Sequence, residues 1–172
     1  MQNSQSLLPD TPGGGLPSKL AVQQALDIQS AASATPADPS AVSSQLTRTS
    51  FVGGYSKVWE SGTDYVTMIA LEFSQPADAD AFVVFQRGAL VTAANTYVTD
   101  HTEIPGSFVY VISSVTRKGN NDVICEGVWF AFATHSFETM TCGLTPAFAT
   151  QAEDLAMREY QTARALLSSP KS

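Results

Sequence analysis

The two cysteines of the chain, Cys125 and Cys142, are the residues whose type and spacing most directly indicate chemistry. They are placed symmetrically about the dipeptide Ala133-Thr134. If the chain folds back on itself through a two-residue turn at that dipeptide, the cysteines face each other at a non-hydrogen-bonded pair of an antiparallel hairpin. Opposed side chains lie closest at such pairs, so a disulfide is within reach. A disulfide indicates a compartment outside the cytosol.

Two other arrangements of these cysteines stay open at the sequence level. Neither residue of Ala133-Thr134 favours positive φ, so a longer loop over residues 133–136 would shift the register and separate the cysteines. Both cysteines could instead be free thiols that pack as small apolar side chains. A metal site is not predicted, because the chain has no second cysteine pair and no His-x₃₋₅-His pattern.

The remaining ionisable residues do not form a recognisable catalytic motif. Asp100, His101 and Glu103 lie close together in sequence, but a strand would point the first of them away from the other two, so a solvated loop is the preferred interpretation. His135 lies at the hairpin tip and is expected to be exposed. Glu126 and Glu138 are predicted to lie on opposite faces of their hairpin. Their carboxyl groups would then not face the same substrate, as the two carboxyl groups of a glycosidase must. The sequence therefore predicts no catalytic residue and no cofactor.

Charge composition excludes several partners. The chain has 172 residues with 9 Lys and Arg against 16 Asp and Glu, a net charge of −7. The chain has few basic residues that could neutralise phosphate groups. Neither nucleic acid nor an anionic membrane surface is therefore an expected partner. No apolar run approaches the roughly 20 residues needed to span a bilayer, and no signal sequence is recognisable. Together with the cysteines, this leads us to expect a chain that follows a removed signal, with a membrane tether as one option.

Composition divides the chain at about residue 45. Residues 1–45 are rich in Ser, Pro, Gly and Ala, and they are predicted to be a flexible extension with a short helix over residues 19–31. Residues 46–169 are predicted to form a single α+β domain. Pro36 and Pro39 are taken as helix breakers in the extension.

Alternation of apolar residues and turn signals predict the order strand, strand, helix, strand, strand, strand, helix in this domain. The strands are expected at residues 51–59, 64–73, 108–116, 122–132 and 135–142, with a further short strand at 97–102, and the helices at 74–95 and from the capping box Thr150-x-x-Glu153 onward. The predicted fold is an antiparallel sheet of five to six strands with two main helices packed on one face.

Aromatic residues mark the candidate ligand site. A sheet with helices on one side cannot bury both faces, and this sheet is apolar on both, so the second face is covered by the N-terminal segment or meets a ligand or partner. Trp59, Tyr65 and Trp129 are the predicted ligand-binding residues, because each combines a large apolar body with one polar group. The other candidate position for a ligand is the cleft between the helix of residues 79–93 and the sheet. For the three aromatic residues, the alternative is that all of them are core residues.

The C-terminal part of the chain resembles a known family. Cys125, an apolar hairpin, Cys142 and an Ala-rich helix with Leu155-Ala156-x-x-x-Tyr160 are similar to the end of the extracytoplasmic sensor domains of mycobacterial serine/threonine kinases and related actinobacterial lipoproteins. The segment from Leu71 to Phe82 resembles their strand-to-helix junction. Those kinase domains carry a second cysteine pair, which this chain lacks.

The resemblance implies a non-catalytic domain outside the membrane with a ligand-binding cleft. We therefore expect a secreted or lipid-tethered binding or sensor domain, whose partner is a small apolar ligand or a protein. The alternative is an interaction or structural protein that forms a homodimer through an exposed sheet face, and the oligomeric state itself is left open.

Overall fold

The computed structural model describes residues 4–116, 122–144 and 151–168. Within these ranges the chain forms seven β-strands and four α-helices, preceded by a short 3₁₀ helix at Ser4–Leu7. The strands are β1 (Leu20–Leu26), β2 (Phe51–Ser61), β3 (Asp64–Phe73), β4 (Thr96–Asp100), β5 (Phe108–Thr116), β6 (Asp122–Phe132) and β7 (His135–Gly143). The helices are α1 (Ile28–Ala34), α2 (Pro39–Arg48), α3 (Pro76–Val91) and α4 (Ala152–Leu167).

All seven strands join one antiparallel sheet in the order β1-β2-β3-β7-β6-β5-β4. The α+β class and the antiparallel sheet are confirmed. The predicted number of strands is too small, because β1 was not recognised, and α1 and α2 add to the two helices expected. The turn between β2 and β3 is at the predicted position, where Gly62 has a φ of +64°.

Both faces of the sheet are covered, in contrast to the prediction of helices on one face. The front face carries side chains such as Ile69, Leu71 and Trp129, which pack against α1, α2 and α3. The back face carries Met68 and Phe130 among others, which pack against α4 and the N-terminal segment. Neighbouring strand residues point to opposite faces, so strands that are apolar at every position require a layer on each side.

The predicted helix over residues 19–31 is wrong for its first part, because Leu20–Leu26 forms the edge strand β1. Leu, Ala and Gln are good helix formers, and the apolar residues of this segment lie at helical spacing. Pairing with β2 along the whole segment overrides that local preference. Ile28–Ala34 is helical, and it begins with a capping box in which Asp27 and Ser30 bond each other's main chain.

The segment expected to be a flexible extension contributes regular structure instead. Pro39 occupies the first turn of α2, where its missing N–H is not needed, and the Asp38 side chain accepts a hydrogen bond from the Ala41 N–H. Val42 and Leu46 of α2 are buried. We call residues 4–18 the N-terminal strap; Leu7, Leu8 and Leu16 of the strap belong to the core of the back face.

Two predicted features lie outside the described residues: the connection between the strands predicted at 108–116 and 122–132, and Thr150 of the capping box. The helix predicted at 74–95 is α3, which is shorter at both ends. In the described part of the chain, no helix is both long and apolar enough to cross a membrane.

Candidate ligand-binding cavity

Cys125 and Cys142 lie opposite each other on β6 and β7, in the register predicted from the turn at Ala133-Thr134. Their Cα atoms are 4.1 Å apart, and the two residues are disulfide-bonded and buried. The turn is possible because Ala133 adopts a φ of +53°, a conformation that costs an L-residue energy. The Tyr65 hydroxyl lies 3.4 Å from the Cys125 sulfur. Tyr65 is on β3, on the far side of β7 from Cys125, and its side chain covers the disulfide.

The three predicted ligand-binding residues do not form one surface. Trp59 and Trp129 are both fully buried, and they point to opposite faces of the sheet. Tyr65 is half-buried beside the disulfide. Trp59 is a core residue that also holds the strap, since its indole N–H donates to the Asp10 carbonyl at 3.2 Å. The structure therefore does not bring these three side chains together: Trp59 and Trp129 occupy separate core positions and Tyr65 lies beside the disulfide, and a role in ligand binding stays a prediction.

His101 is buried, so the prediction of a solvated loop is wrong for this residue. Its Nδ1 lies 3.1 Å from the Ser107 Oγ and its Nε2 lies 3.4 Å from Glu153 on α4. The Ser107 hydroxyl is itself buried and donates to the Ile104 carbonyl at 2.7 Å. The group of Ser107, His101 and Glu153 thus fastens the β4–β5 loop to α4 and presents no exposed nucleophile. Asp100 points elsewhere, to Arg87 at 2.6 Å, as expected.

The other predicted exposed histidine is also buried. His135 at the start of β7 is 2% exposed, and burial lowers its pKa to about 4. Glu126 and Glu138 do lie on opposite faces, which confirms the prediction. Burial, aided by the charge of Glu153, raises the pKa of Glu126 to about 7. In the described part of the chain, no group of three His, Cys, Asp or Glu side chains could hold a metal ion.

Glu138 forms a polar contact inside the front face. The Tyr110 hydroxyl donates to its Oε1 at 2.5 Å, across strand β6. This contact depends on Gly127, which pairs with Tyr110 and whose missing Cβ would overlap the Tyr110 phenol. Burial raises the pKa of Glu138 to about 8, although the bond from Tyr110 works in the opposite direction. The contact is fully enclosed, and we assign it to the core.

On the back face, a cavity of about 230 Å³ lies between the strap and α4. We call it the α4 cavity. Strap residues form one wall, the side chains of one face of α4 form the other, and Met68 of β3 forms the floor. It is lined by Ser6, Leu7, Leu8, Pro9, Thr11, Pro12, Gly13, Met68, Leu155, Arg158, Glu159 and Thr162.

Glu159 is the unusual residue of this cavity. It is 3% exposed, and neither carboxyl oxygen has a hydrogen-bond partner. Burial raises its pKa well above the ordinary value of a glutamate. A buried carboxyl is normally paired, so an unpaired one that lines a cavity indicates a site rather than a structural contact.

Glu159 is not among the residues predicted from the sequence, although its spacing carries a signal. It lies four residues after Leu155 and four before Ala163 on α4, and both of these neighbours are buried. Residues spaced by four share a helix face. The face that carries Glu159 was therefore identifiable as buried before the structure was known.

The strap is held over the cavity by a buried lysine. Lys57 on β2 donates to the main-chain carbonyls of Leu8 at 3.1 Å and Pro9 at 3.0 Å, and its ammonium lies 3.4 Å from Asp10. Two of these acceptors belong to residues that line the α4 cavity. One wall of the cavity thus depends on a few specific bonds rather than on sheet pairing.

Wider grooves of about 870 and 680 Å³ lie at the outer end of β1 and β2 and beside the amino end of α4. They are lined mainly by exposed polar residues. Among the described residues, none of the buried polar atoms that lack a partner belongs to either groove. The α4 cavity is therefore the better candidate site.

No protein-family model matches the chain, and no curated protein matches it. Among solved structures, the extracellular domain of PknH from Mycobacterium tuberculosis is similar, with a TM-score of 0.57 at 11% sequence identity. The match covers 87% of this chain and 81% of that domain. The predicted resemblance to mycobacterial extracytoplasmic sensor domains is therefore confirmed as a similarity of fold.

Proposed function

We propose that this protein is a non-catalytic binding domain of the sensor type, which takes a small and largely apolar molecule into the α4 cavity. The observation that carries the proposal is the cavity itself, with the apolar Leu7, Leu8 and Leu155 on its walls and the unpaired carboxyl of Glu159. Ligand sites in proteins are concave and mostly apolar, with a few polar groups that orient the ligand.

A location outside the cytosol is part of the proposal. The Cys125–Cys142 disulfide supports it, because such bonds persist in oxidising compartments. The similarity of fold to an extracellular domain supports it independently. Secretion and attachment to the cell envelope through a lipid are the two forms that this location would take.

The absence of catalysis is also proposed rather than shown. It is supported by the position of Ser107, whose buried hydroxyl donates to a main-chain carbonyl, and of His101, whose two ring nitrogens lie 3.1 Å from Ser107 and 3.4 Å from Glu153. A nucleophile and its base must reach a substrate. These two residues are positioned to hold the β4–β5 loop instead.

The homodimer alternative requires an exposed sheet face, and the described part of the chain does not provide one. The front face is covered by α1 to α3 and the back face by α4 and the strap, so the expected open face is occupied by the chain's own elements. This corresponds to the alternative in which the N-terminal segment covers the second face.

The strap offers a route from ligand binding to a response. It forms a whole wall of the α4 cavity, and it is bonded to the sheet chiefly through Lys57 and Trp59. A ligand that fills the cavity would contact Leu7, Leu8 and Pro12 and so stabilise the strap in its closed position. The binding energy would then appear as increased order of residues 4–18.

The proposal is tested by thermal denaturation of the purified protein against a panel of small aromatic and aliphatic alcohols, amines and acids. Thr162→Phe places a ring at an exposed position that lines the cavity, and Leu166→Phe is the matched control one turn further along α4. We expect compounds that raise the Tm of the wild type and of Leu166→Phe but not that of Thr162→Phe. Equal stabilisation of both variants, or no stabilising compound in the panel, would contradict the proposal.

A further inference from the structure

We propose that the α4 cavity selects an organic ammonium ion with an apolar body, and that Glu159 is its counter-ion. This inference rests on the proposed function, since it names the ligand class of the same cavity. It starts from a pairing problem: Glu159 has two buried oxygens without partners, in a cavity lined otherwise by apolar side chains, hydroxyl groups and one exposed arginine.

An unpaired buried carboxyl is costly in either protonation state. As an anion it lacks a counter-charge, and as a neutral acid its hydroxyl lacks an acceptor. A glutamine or leucine at this place on α4 would avoid part of that cost. An ammonium ion resolves it directly, because its three N–H donors match the acceptors of a carboxylate.

The strap already binds one ammonium group in this manner. The Lys57 ammonium is surrounded by two strap carbonyls and the carboxylate of Asp10, at 3.0 to 3.4 Å. Lys57 and Asp10 lie outside the α4 cavity, so this arrangement shows only that the strap can bind an ammonium group. Within the cavity, Glu159 is the carboxyl that could accept from an ammonium ion, and the apolar side chains fit the body of the ligand.

The described charged side chains near Glu159 do not pair with it, so a bound ligand could. Arg158 also lines the cavity, but it is exposed, and its Nε donates to the Asp154 carbonyl at 3.3 Å. Lys57 on β2 is bonded to the strap, and Asp10 on the strap is bonded to Lys57. None of the described side chains gives Glu159 a hydrogen bond or an ion pair.

Binding of an ammonium ion to Glu159 is coupled to the release of a proton. Burial holds the pKa of Glu159 well above its ordinary value, which favours the protonated carboxyl before binding, whereas the amine arrives as an ammonium ion. Formation of the ammonium–carboxylate pair therefore releases the carboxyl proton to the solvent. No bond other than this O–H bond is broken, and no oxidant or co-reactant is required.

The volume of the cavity sets the size of the ligand. About 230 Å³ exceeds the roughly 150 Å³ of an apolar cavity that accommodates benzene. Benzylamine is thus a suitable probe, and benzyl alcohol is its neutral counterpart of nearly the same shape. The comparison of the two isolates the charge of the ligand from its apolar body.

The test is isothermal calorimetry of both probes with the wild type, Glu159→Gln and Asp154→Asn. Asp154→Asn is the matched control, because it removes one negative charge from the exposed surface of the same helix. We expect the wild type and Asp154→Asn to bind benzylamine at least 10-fold more tightly than benzyl alcohol, and Glu159→Gln to lose that preference. Titrations in two buffers of different ionisation enthalpy should show proton release on benzylamine binding in the wild type and Asp154→Asn, and none in Glu159→Gln.

Several outcomes would overturn the inference, and they differ in what they say about the cavity. If the wild type and Glu159→Gln bind both probes with similar affinity, the cavity is a ligand site and only the selection of ammonium is wrong. If Asp154→Asn weakens benzylamine binding as much as Glu159→Gln, general attraction to an acidic surface explains it. If neither probe binds the wild type, the proposed function of the cavity fails together with the inference.

Discussion

Gly127 lies between Tyr110 and Glu138 on the front face, and its lack of a side chain lets the Tyr110 phenol cross strand β6. The phenol then reaches a carboxylate two strands away from its own backbone. A single residue without a Cβ therefore determines whether the buried Glu138 has a partner. A strand residue that is glycine often marks such a close approach.

We expect Gly127→Ala to destabilise the protein by about 1–3 kcal/mol, because the new methyl group would overlap the Tyr110 ring. Gly88→Ala is the control: Gly88 lies in α3 with open space around it, and alanine there should stabilise the helix by up to about 1 kcal/mol. Urea denaturation of both variants measures the effect. Equal stability of Gly127→Ala and the wild type would show that the phenol does not occupy this position.

Buried glutamates determine a pH dependence with a definite sign. The pKa of Glu138 is about 8 in the folded protein against 4.5 for the exposed group, so the folded state binds more protons than the unfolded state between these values. The free energy of unfolding therefore falls as the pH rises through that window. Glu126, with a pKa of about 7, and Glu159 act in the same direction. The pKa of His135 is about 4 in the folded protein against 6.5 for the exposed group. Below pH 6.5 the free energy of unfolding therefore decreases as the pH falls.

Between pH 6.5 and 8 we thus expect stability to decrease with rising pH, and Glu138→Gln to reduce the slope. The measurement is the urea midpoint at a series of pH values, with Glu103→Gln as the control at an exposed position. A slope that Glu138→Gln leaves unchanged would mean that Glu138 does not hold the extra proton.

At the scale of elements, the β6–β7 hairpin and the strap differ in how they are secured. The hairpin has an uninterrupted register from the turn to the disulfide. The strap has no strand partner and depends on side-chain contacts from β2 and on its own leucines. Local opening should therefore begin at the strap, because segments with few buried contacts open first.

The disulfide should be detectable as a loss of two hydrogens in the mass of the non-reduced protein. Its reduction should lower the free energy of unfolding by about 3 kcal/mol, the chain-entropy value for the closed loop of this length. Denaturation with and without reductant measures the change, and the Cys125→Ala/Cys142→Ala double variant serves as the control that should not respond to reductant. Two freely alkylatable thiols in the native protein would contradict the disulfide and weaken the proposal of an extracytoplasmic location.

Lys57→Met tests the attachment of the strap. The variant keeps most of the apolar stem and removes the ammonium, which leaves the carbonyls of Leu8 and Pro9 without their donor. We expect a loss of about 1–3 kcal/mol and faster hydrogen exchange of the strap amides, while the amides of the central strands keep their protection. Lys19→Met, at an exposed position, should change neither quantity. Unchanged exchange of the strap would show that Lys57 does not anchor it.

At the scale of the whole molecule, the parts that the sequence predicted well are those in which local signals and tertiary pairing agree. The cysteine symmetry about Ala133-Thr134 predicted the register of the hairpin, and turn signals predicted the bounds of β3, β5 and β6. β1 was missed because Leu20–Leu26 has helical composition, and only its pairing with β2 makes it a strand. α2 is not predictable from a rule that treats Pro39 as a helix breaker, because here this proline begins the helix.

The candidate site was less predictable than the fold, because it depends on two segments far apart in sequence. The strap was assigned to a flexible extension, so a cavity between it and α4 could not be foreseen. The size and polarity of Trp59 and Trp129 make them suitable for ligand binding. Residue type does not show which other residues lie beside them, so a shared site could not be tested from the sequence. Glu159 carried a signal in its spacing, but its missing partner is visible only in three dimensions.

The most direct test of the central claim is a map of amide chemical shifts in the ¹⁵N-labelled protein during titration with benzyl alcohol. This probe fits the α4 cavity whether or not Glu159 selects a cation. We expect the largest shifts in residues 6–13 and 155–162, which form the two walls of the cavity, and we expect Thr162→Phe to abolish them. Largest shifts around α3 and Trp129 on the front face, or no shifts up to the solubility of the probe, would contradict it.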